Sequence, residues 1–262
     1  MLDLWNSLLF WPLLNGLVFF YKITGNFGWA IIVLTTILRV ITTPLVFSSL
    51  KTSKKMQDLS PDLAKLKEQH KDDKQALMTA QSELYKQNGI NPAAGCLPQI
   101  LQIVVLIAMF NAFNTILNTP AEKMVSTINP LLYSFNKLKD GSSIPMQFFS
   151  WNLIKPDTYS IPGLPLPIPG FLLIASAVVQ FLSSKMMMPE KKTEKDKDDI
   201  MASSQEQMVY MFPLMTILFG AQFPTGLVLY WLVFSAVSMV QQYFISGWGG
   251  LSPWLKRFGM IK

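Results

Sequence analysis

Arg39 is the tenth residue of AIIVLTTILRVITTPLVF, positions 30–47, a stretch with no other charge. Thr35 and Thr36 stand one turn before it, and Thr42 and Thr43 one turn after. Residues three and four apart share a helix face, so these five form one polar stripe centred on a guanidinium. An arginine at mid-membrane costs about 3 kcal/mol on insertion scales. The eleven Ile, Leu, Val and Phe residues around it return roughly 3 to 6 kcal/mol. The segment can insert, by a thin margin. No span contains an acidic residue to neutralise the charge, so the stripe implies water, in a positive cavity among helices. Such a cavity suits an anionic or polar guest that enters the bilayer and then leaves it. The plainer alternative is a buried structural cation.

Other polar positions recur at helical spacing. Gln99 and Gln102 precede Asn111, Asn114 and Thr115; Ser176 and Gln180 precede Ser183 and Ser184; Tyr230 and Trp231 precede Ser235 and Ser238 by about a turn. Taken singly, each is explained by bonds across helices or back to its own backbone. Catalytic chemistry has little to work with. The only histidine, His70, lies in a lysine-rich stretch, which excludes an intramembrane Ser–His pair or an HExxH zinc site. No phosphate-binding glycine loop occurs, and Cys96 is alone, so no disulfide or cysteine metal cluster forms within one chain. Spans without carboxylates also argue against a proton-coupled transporter. The sequence therefore predicts a protein that is not an enzyme and has no metal or other cofactor.

The elements that position these residues are set by where charge is missing. Residues 87–121, 158–184 and 207–255 carry no charge, and 23–50 carries only Arg39. Uncharged runs of twenty or more residues are the mark of bilayer spans. The third run is far longer than the ~20 residues one span needs, and the turn residues of 222–226 divide it. Five spans follow: 29–47, 96–117, 168–187, 208–222 and 225–246. Lysines set the orientation. Eight fall in 51–90; Lys185, Lys191, Lys192, Lys195 and Lys197 fall between the third and fourth spans; Lys256, Arg257 and Lys262 follow the fifth. These sides face the cytoplasm, and an odd span count leaves the N-terminus outside.

The segment of residues 4–20 is apolar but interrupted by Asn6, Pro12, Asn15 and Gly16, with Trp5 and Trp11 suited to an interface. It reads as a helix on the outer leaflet in preference to a sixth span. It lacks a basic n-region and a cleavage box, and it is no transit peptide, which favours a bacterial plasma membrane. In 51–92, Leu59, Leu63 and Leu66, then Leu77, Gln81, Leu84 and Tyr85, give two amphipathic arms, with Pro61 starting one and 71–74 as a polar tip.

In this order, GWAIIVLTTILRVITTPL at 28–45, the 55–98 hairpin, FSWNLIKPD at 149–157, QFLSSKMM at 180–187, MFPLM at 211–215 and FPTGLVLYWLVFSAVSMVQQ at 223–242 resemble the YidC-type membrane protein insertases. The resemblance runs over nearly the whole chain. It implies an all-α membrane protein with five core transmembrane helices around a hydrophilic groove, closed on the outside, and a cytoplasmic helical hairpin. The implied organisation is an interfacial helix in 1–25, first span in 26–50, hairpin in 51–92, second span in 93–118 and an extracytoplasmic loop in 119–166. The third span in 167–188, a charged cytoplasmic loop in 189–206, the fourth and fifth spans in 207–223 and 224–247, and a short basic tail in 248–262 complete it.

By the same resemblance, Arg39 matches the groove arginine, Thr35 the polar position before it, Gln180 the groove glutamine, and Trp231 beside Tyr230 the aromatic position that meets substrate. Thr36, Thr42 and Gln102 join the groove from the stripe reading. The implied activity is an insertase and chaperone for nascent membrane proteins, with lipids, the Sec translocon, the signal recognition particle receptor and the ribosome as further partners. A single chain supplies a whole groove, so a monomer suffices, with no nucleic-acid binding of its own. The tail behind the fifth span, only about fifteen residues with three basic groups, counts against direct ribosome binding. The rival readings are an anion channel or carrier selecting through Arg39, and an assembly scaffold that inserts nothing.

Overall fold

The computed structural model describes residues 2–71, 73–163, 167–188 and 200–261. Lys191, Lys192, Lys195 and Lys197 of the expected cytoplasmic loop, Asp72 of the hairpin tip and residues 164–166 of the proline-rich stretch lie outside the described residues. So do the side chains of Cys96 and Gln99.

The chain is an all-α membrane protein. Its helices are α1 (Leu2–Trp5), continued through a π-helical turn into α2 (Trp11–Thr24), then α3 (Phe27–Asp58), α4 (Ser60–Gln69), α5 (Lys74–Gln87), α6 (Pro92–Leu117) and α7 (Met124–Ile128). Two short antiparallel pairs come next, β1 (Gln147–Phe148) with β2 (Trp151–Asn152) and β3 (Thr158–Tyr159) with β4 (Ile168–Pro169). The helices α8 (Phe171–Met186), α9 (Ile200–Gly220), α10 (Thr225–Ser246) and α11 (Ser252–Arg257) complete the order.

Among the described residues four helices are long and apolar enough to cross a membrane: Asp3–Thr24, Phe27–Ser49, Ile100–Leu117 and Thr225–Ile245. The third and fourth expected spans fall on shorter apolar helices, Phe171–Met186 and Val209–Gly220. At 1.5 Å per residue the first of these covers about 24 Å, less than the ~30 Å hydrocarbon core. The N-terminal stretch, expected on the leaflet surface, has the length and composition to cross a membrane. Its supposed interruptions do not break it. Pro12 follows directly on the π-helical turn of 6–10, and the helix continues through it to Thr24.

The chain divides into two compact units. The first comprises Met1–Ile41, Gln102–Gln180 and Phe212–Ser238. Its core is built from helical stripes: Leu13, Leu14, Leu17 and Val18 of α2, Phe27, Ala30, Ile31 and Leu34 of α3, and Ala108, Met109, Ala112, Phe113 and Ile116 of α6. Gly16 allows α2 this close to α3, since a Cβ there would stand 2.9 Å from the Leu34 side chain. Ile37, Val40 and Ile41, Ile103 and Ile107, and Leu214 and Leu218 point outward. Exposed apolar surface on this scale is what a lipid solvent permits.

The expected extracytoplasmic loop is packed onto this core. Met124, Ile128, Leu132, Leu138, Ile144, Phe148 and Leu153 are all buried in it. Two polar devices fix the segment. Asn15 of α2 donates to the Leu131 carbonyl at 3.2 Å and accepts from the Tyr133 N–H at 2.8 Å, while Asn136 donates to the Asn15 carbonyl at 2.8 Å. Further on, the buried Asp157 accepts from the Leu173 N–H at 2.9 Å, and its carbonyl from the Gly170 N–H at 2.7 Å. A carboxylate at the start of α8 satisfies a donor the helix cannot and opposes the helix dipole. Asp157→Ala should therefore cost about 1 to 2 kcal/mol of stability. The check is thermal unfolding in detergent, where an unchanged midpoint would remove the capping role.

The second unit comprises Thr42–Leu101, Phe181–Met211 and Met239–Lys262. Here α3 runs on unbroken to Asp58, past the expected end of the first span. The hairpin arms α4 and α5 bury Leu63, Tyr85 and Ile90 with Met56, Leu59 and Leu84 against them. Asp73 caps α5 by accepting from the Gln75 and Ala76 N–H groups at 3.0 and 2.9 Å.

Candidate functional site

Helix α10 presents Tyr230, Phe234 and Ser238 four residues apart, hence on one face. Arg39 of α3 reaches that face. Its Nη2 donates to Ser238 Oγ, and its guanidinium carbon lies 4.1 Å from the Phe234 ring centroid. Ser238 Oγ in turn donates to the Phe234 carbonyl at 2.7 Å. The hydroxyl thus has its lone pairs left for the cation, and the ring offers the negative face of its quadrupole. Tyr230 packs its ring 6.0 Å from that of Phe234 and accepts from Gln102 Nε2 of α6 at 3.1 Å. Gln102, Tyr230, Phe234, Arg39 and Ser238 therefore form one connected array.

Arg39 is 9% exposed and Tyr230 1%. Residues 4–57, 84–121 and 207–262 contain no Asp or Glu, so α6, α10 and the span that bears Arg39 supply no acidic partner. Ser238 and Phe234, which meet the guanidinium here with a hydroxyl and a phenyl ring, are neutral. Both are weaker partners than a carboxylate, which brings an opposite charge and accepts two parallel bonds from the guanidinium fork.

The other expected positions lie apart from this array. Thr35, one turn before Arg39, is 1% exposed, and its hydroxyl has no hydrogen-bond partner among the described residues. Thr36 donates back to the Ile32 carbonyl at 2.8 Å. Gln180 accepts from Thr216 Oγ1 of α9 at 2.5 Å. Trp231 turns to a different side of α10, with Phe223 at 5.6 Å, itself 5.8 Å from Phe110, all near edge-to-face. Thr42 belongs to the second unit, where it is half-buried, and Thr43 there accepts from Gln241 Nε2 at 2.7 Å.

Phe234 and Thr216 are the site residues that the sequence reading did not single out. Phe234 carried a signal, four residues beyond Tyr230 and four before Ser238. Thr216, one hydroxyl in an apolar run, carried none.

Residues 19–249 match the model of a family described as 60Kd inner membrane protein. Curated relatives carry the name membrane protein insertase YidC. That of Geobacter sulfurreducens is 32% identical over 242 residues, covering 92% of this chain and 38% of the relative. That of Pelobacter propionicus is 33% identical over 248 residues, 94% of this chain and 40% of the relative. That of Fusobacterium nucleatum is 30% identical over 225 residues, 86% of this chain and 88% of the relative. The chain thus spans well under half the length of the first two and most of the third.

Proposed function

Because the chain belongs to the 60Kd inner membrane protein family, we propose that it is a membrane protein insertase and chaperone of the bacterial plasma membrane. One observation carries this reading: a buried arginine in a helix long and apolar enough to cross the bilayer, held by a hydroxyl and a ring that an acidic guest would displace.

The substrate is a nascent membrane protein. Its apolar segment enters beside Gln180 and Trp231, within a groove framed by five core helices, closed on the outside and open to lipid and cytosol. Its polar or acidic flank is drawn toward Arg39, with Thr35, Thr36, Thr42, Gln102 and Tyr230 as the polar lining. The flank then crosses about half the hydrophobic thickness instead of all of it. Release of the apolar segment into lipid supplies roughly 25 cal/mol per Å2. The membrane potential adds about 2.3 kcal/mol per charge per 100 mV.

The N-terminus lies outside and the C-terminus in the cytoplasm. There the α4–α5 hairpin meets arriving chains, the signal recognition particle receptor or the ribosome, and the Sec translocon is a further partner. One chain acts as a complete unit. A photoreactive residue at position 231 or 180 should crosslink to ribosome-bound nascent membrane proteins at several times the yield from position 135, an exposed site in the outer segment. Equal yields from all three would remove the proposed path.

A further inference from the structure

The β1–β2 pair closes through a two-residue turn, Phe149 and Ser150. Phe149 is the one non-glycine residue with positive φ among the described residues, at +50°, and it is 71% exposed. Two-residue hairpin turns need positive φ at their first position, and glycine meets that need without strain because it has no Cβ. A bulky residue in that conformation is strained. A phenyl ring standing in water adds a hydration cost. Two costs at one residue point to surroundings other than water.

The anchoring of the hairpin says which. Asn26 Nδ2 donates to the Gln147 carbonyl at 3.0 Å, while Asn26 Oδ1 accepts from the Gly28 N–H at 2.9 Å at the start of α3. Gly28 has no room for a side chain because Phe148 occupies the space. Trp29, half exposed, sets its ring 5.8 Å from Phe148 and 6.5 Å from Phe149. Trp151 stacks on Phe171, the first residue of α8, itself 67% exposed. The Gly226 N–H at the start of α10 donates to the Leu153 carbonyl at 3.0 Å. The turn is therefore fastened where α3, α8 and α10 all begin. Farther along α3 and α8, Ile37, Val40, Ile174 and Val178 are exposed and apolar, as lipid-facing residues are. The start of such helices is the level of the membrane–water boundary, the depth that aromatic rings favour.

We propose that Phe149, with Trp29 and Phe171, forms a lipid-binding surface: the hairpin tip is immersed at the headgroup–acyl boundary of the surrounding phospholipid. The aromatic tip sets the height of the 146–157 segment in the bilayer, and with it the level at which α8 and α10 start.

The test reads depth alone, and so is independent of insertase activity. Cys96→Ser removes the single cysteine. Phe149→Cys is then nitroxide-labelled in the whole chain, reconstituted in phosphatidylcholine–phosphatidylglycerol vesicles. Ser150→Cys, which keeps the phenyl ring, is the second probe, and Asp140→Cys, in an exposed polar turn, is the aqueous reference. The ratio of oxygen to nickel-chelate collision rates should be at least fivefold higher at 149 and at 150 than at 140. Ratios at 149 and 150 equal to that at 140 would overturn the proposal.

Discussion

Arg39→Ala should lower insertion of a substrate with an acidic translocated tail by about thirtyfold, while a neutral-tailed substrate loses less than about threefold. The magnitude follows from two unit charges ~8 Å apart at an effective dielectric of ~20, worth about 2 kcal/mol. Each 1.36 kcal/mol is a factor of ten. Arg39→Lys should keep most of the effect, because the attraction is chiefly coulombic, although the fork geometry and the stacking on Phe234 are lost. Thermal stability should change by less than about 2 kcal/mol, because alanine removes a cation from a helix where it costs about 3 kcal/mol and gives up, among other contacts, the Ser238 bond and the Phe234 ring contact. Proteoliposome insertion with protease protection, beside unfolding in detergent, checks both. Unchanged insertion of the acidic tail by a folded Arg39→Ala protein would sink the electrostatic role.

Arg39 was legible because the cost of a charge at that depth is large and local, so the type and position of a single residue were enough. The membrane class was legible for the same reason, since a soluble domain of this size scatters charge over its surface and rarely leaves such long uncharged runs. What holds Arg39 was less so. Ser238 lies 199 residues away, and its role depends on which face of α10 meets α3, a matter decided by packing. Phe234 was harder still, since a phenylalanine among apolar neighbours gives no sign of lying under a cation.

The outer segment reads as a loop because, after the single helical step of Met124, Ile128 and Leu132, its buried residues Leu138, Ile144 and Phe148 recur without a helical or strand period. Burial without a period leaves no local trace. Trp231 and Gln180 rested on resemblance. Each engages a neighbour, Phe223 and Thr216, that no local pattern marks as its partner.

Asn15 separates the two ways of reading the chain most sharply. As composition, it is a polar interruption in an apolar stretch, and leucine in its place would favour insertion by at least about half a kcal/mol. As structure, it is 3% exposed, donates to the Trp11 and Leu131 carbonyls, and accepts from the Tyr133 N–H and Asn136 Nδ2. Leucine offers none of these bonds. It leaves the Tyr133 N–H and the Leu131 carbonyl without their asparagine partner and strips Asn136 of one acceptor. Each group left unsatisfied costs about 1 to 3 kcal/mol. Asn15→Leu should therefore destabilise the chain by roughly 3 to 5 kcal/mol in total, lowering the unfolding midpoint by about 10 °C for a protein of this size. Asn6→Leu, at a half-buried position outside that network, should shift the midpoint by less than about 2 °C. The sign decides between the readings. A midpoint raised by Asn15→Leu would mean that the outer segment is held by apolar packing alone and that its asparagine network contributes nothing.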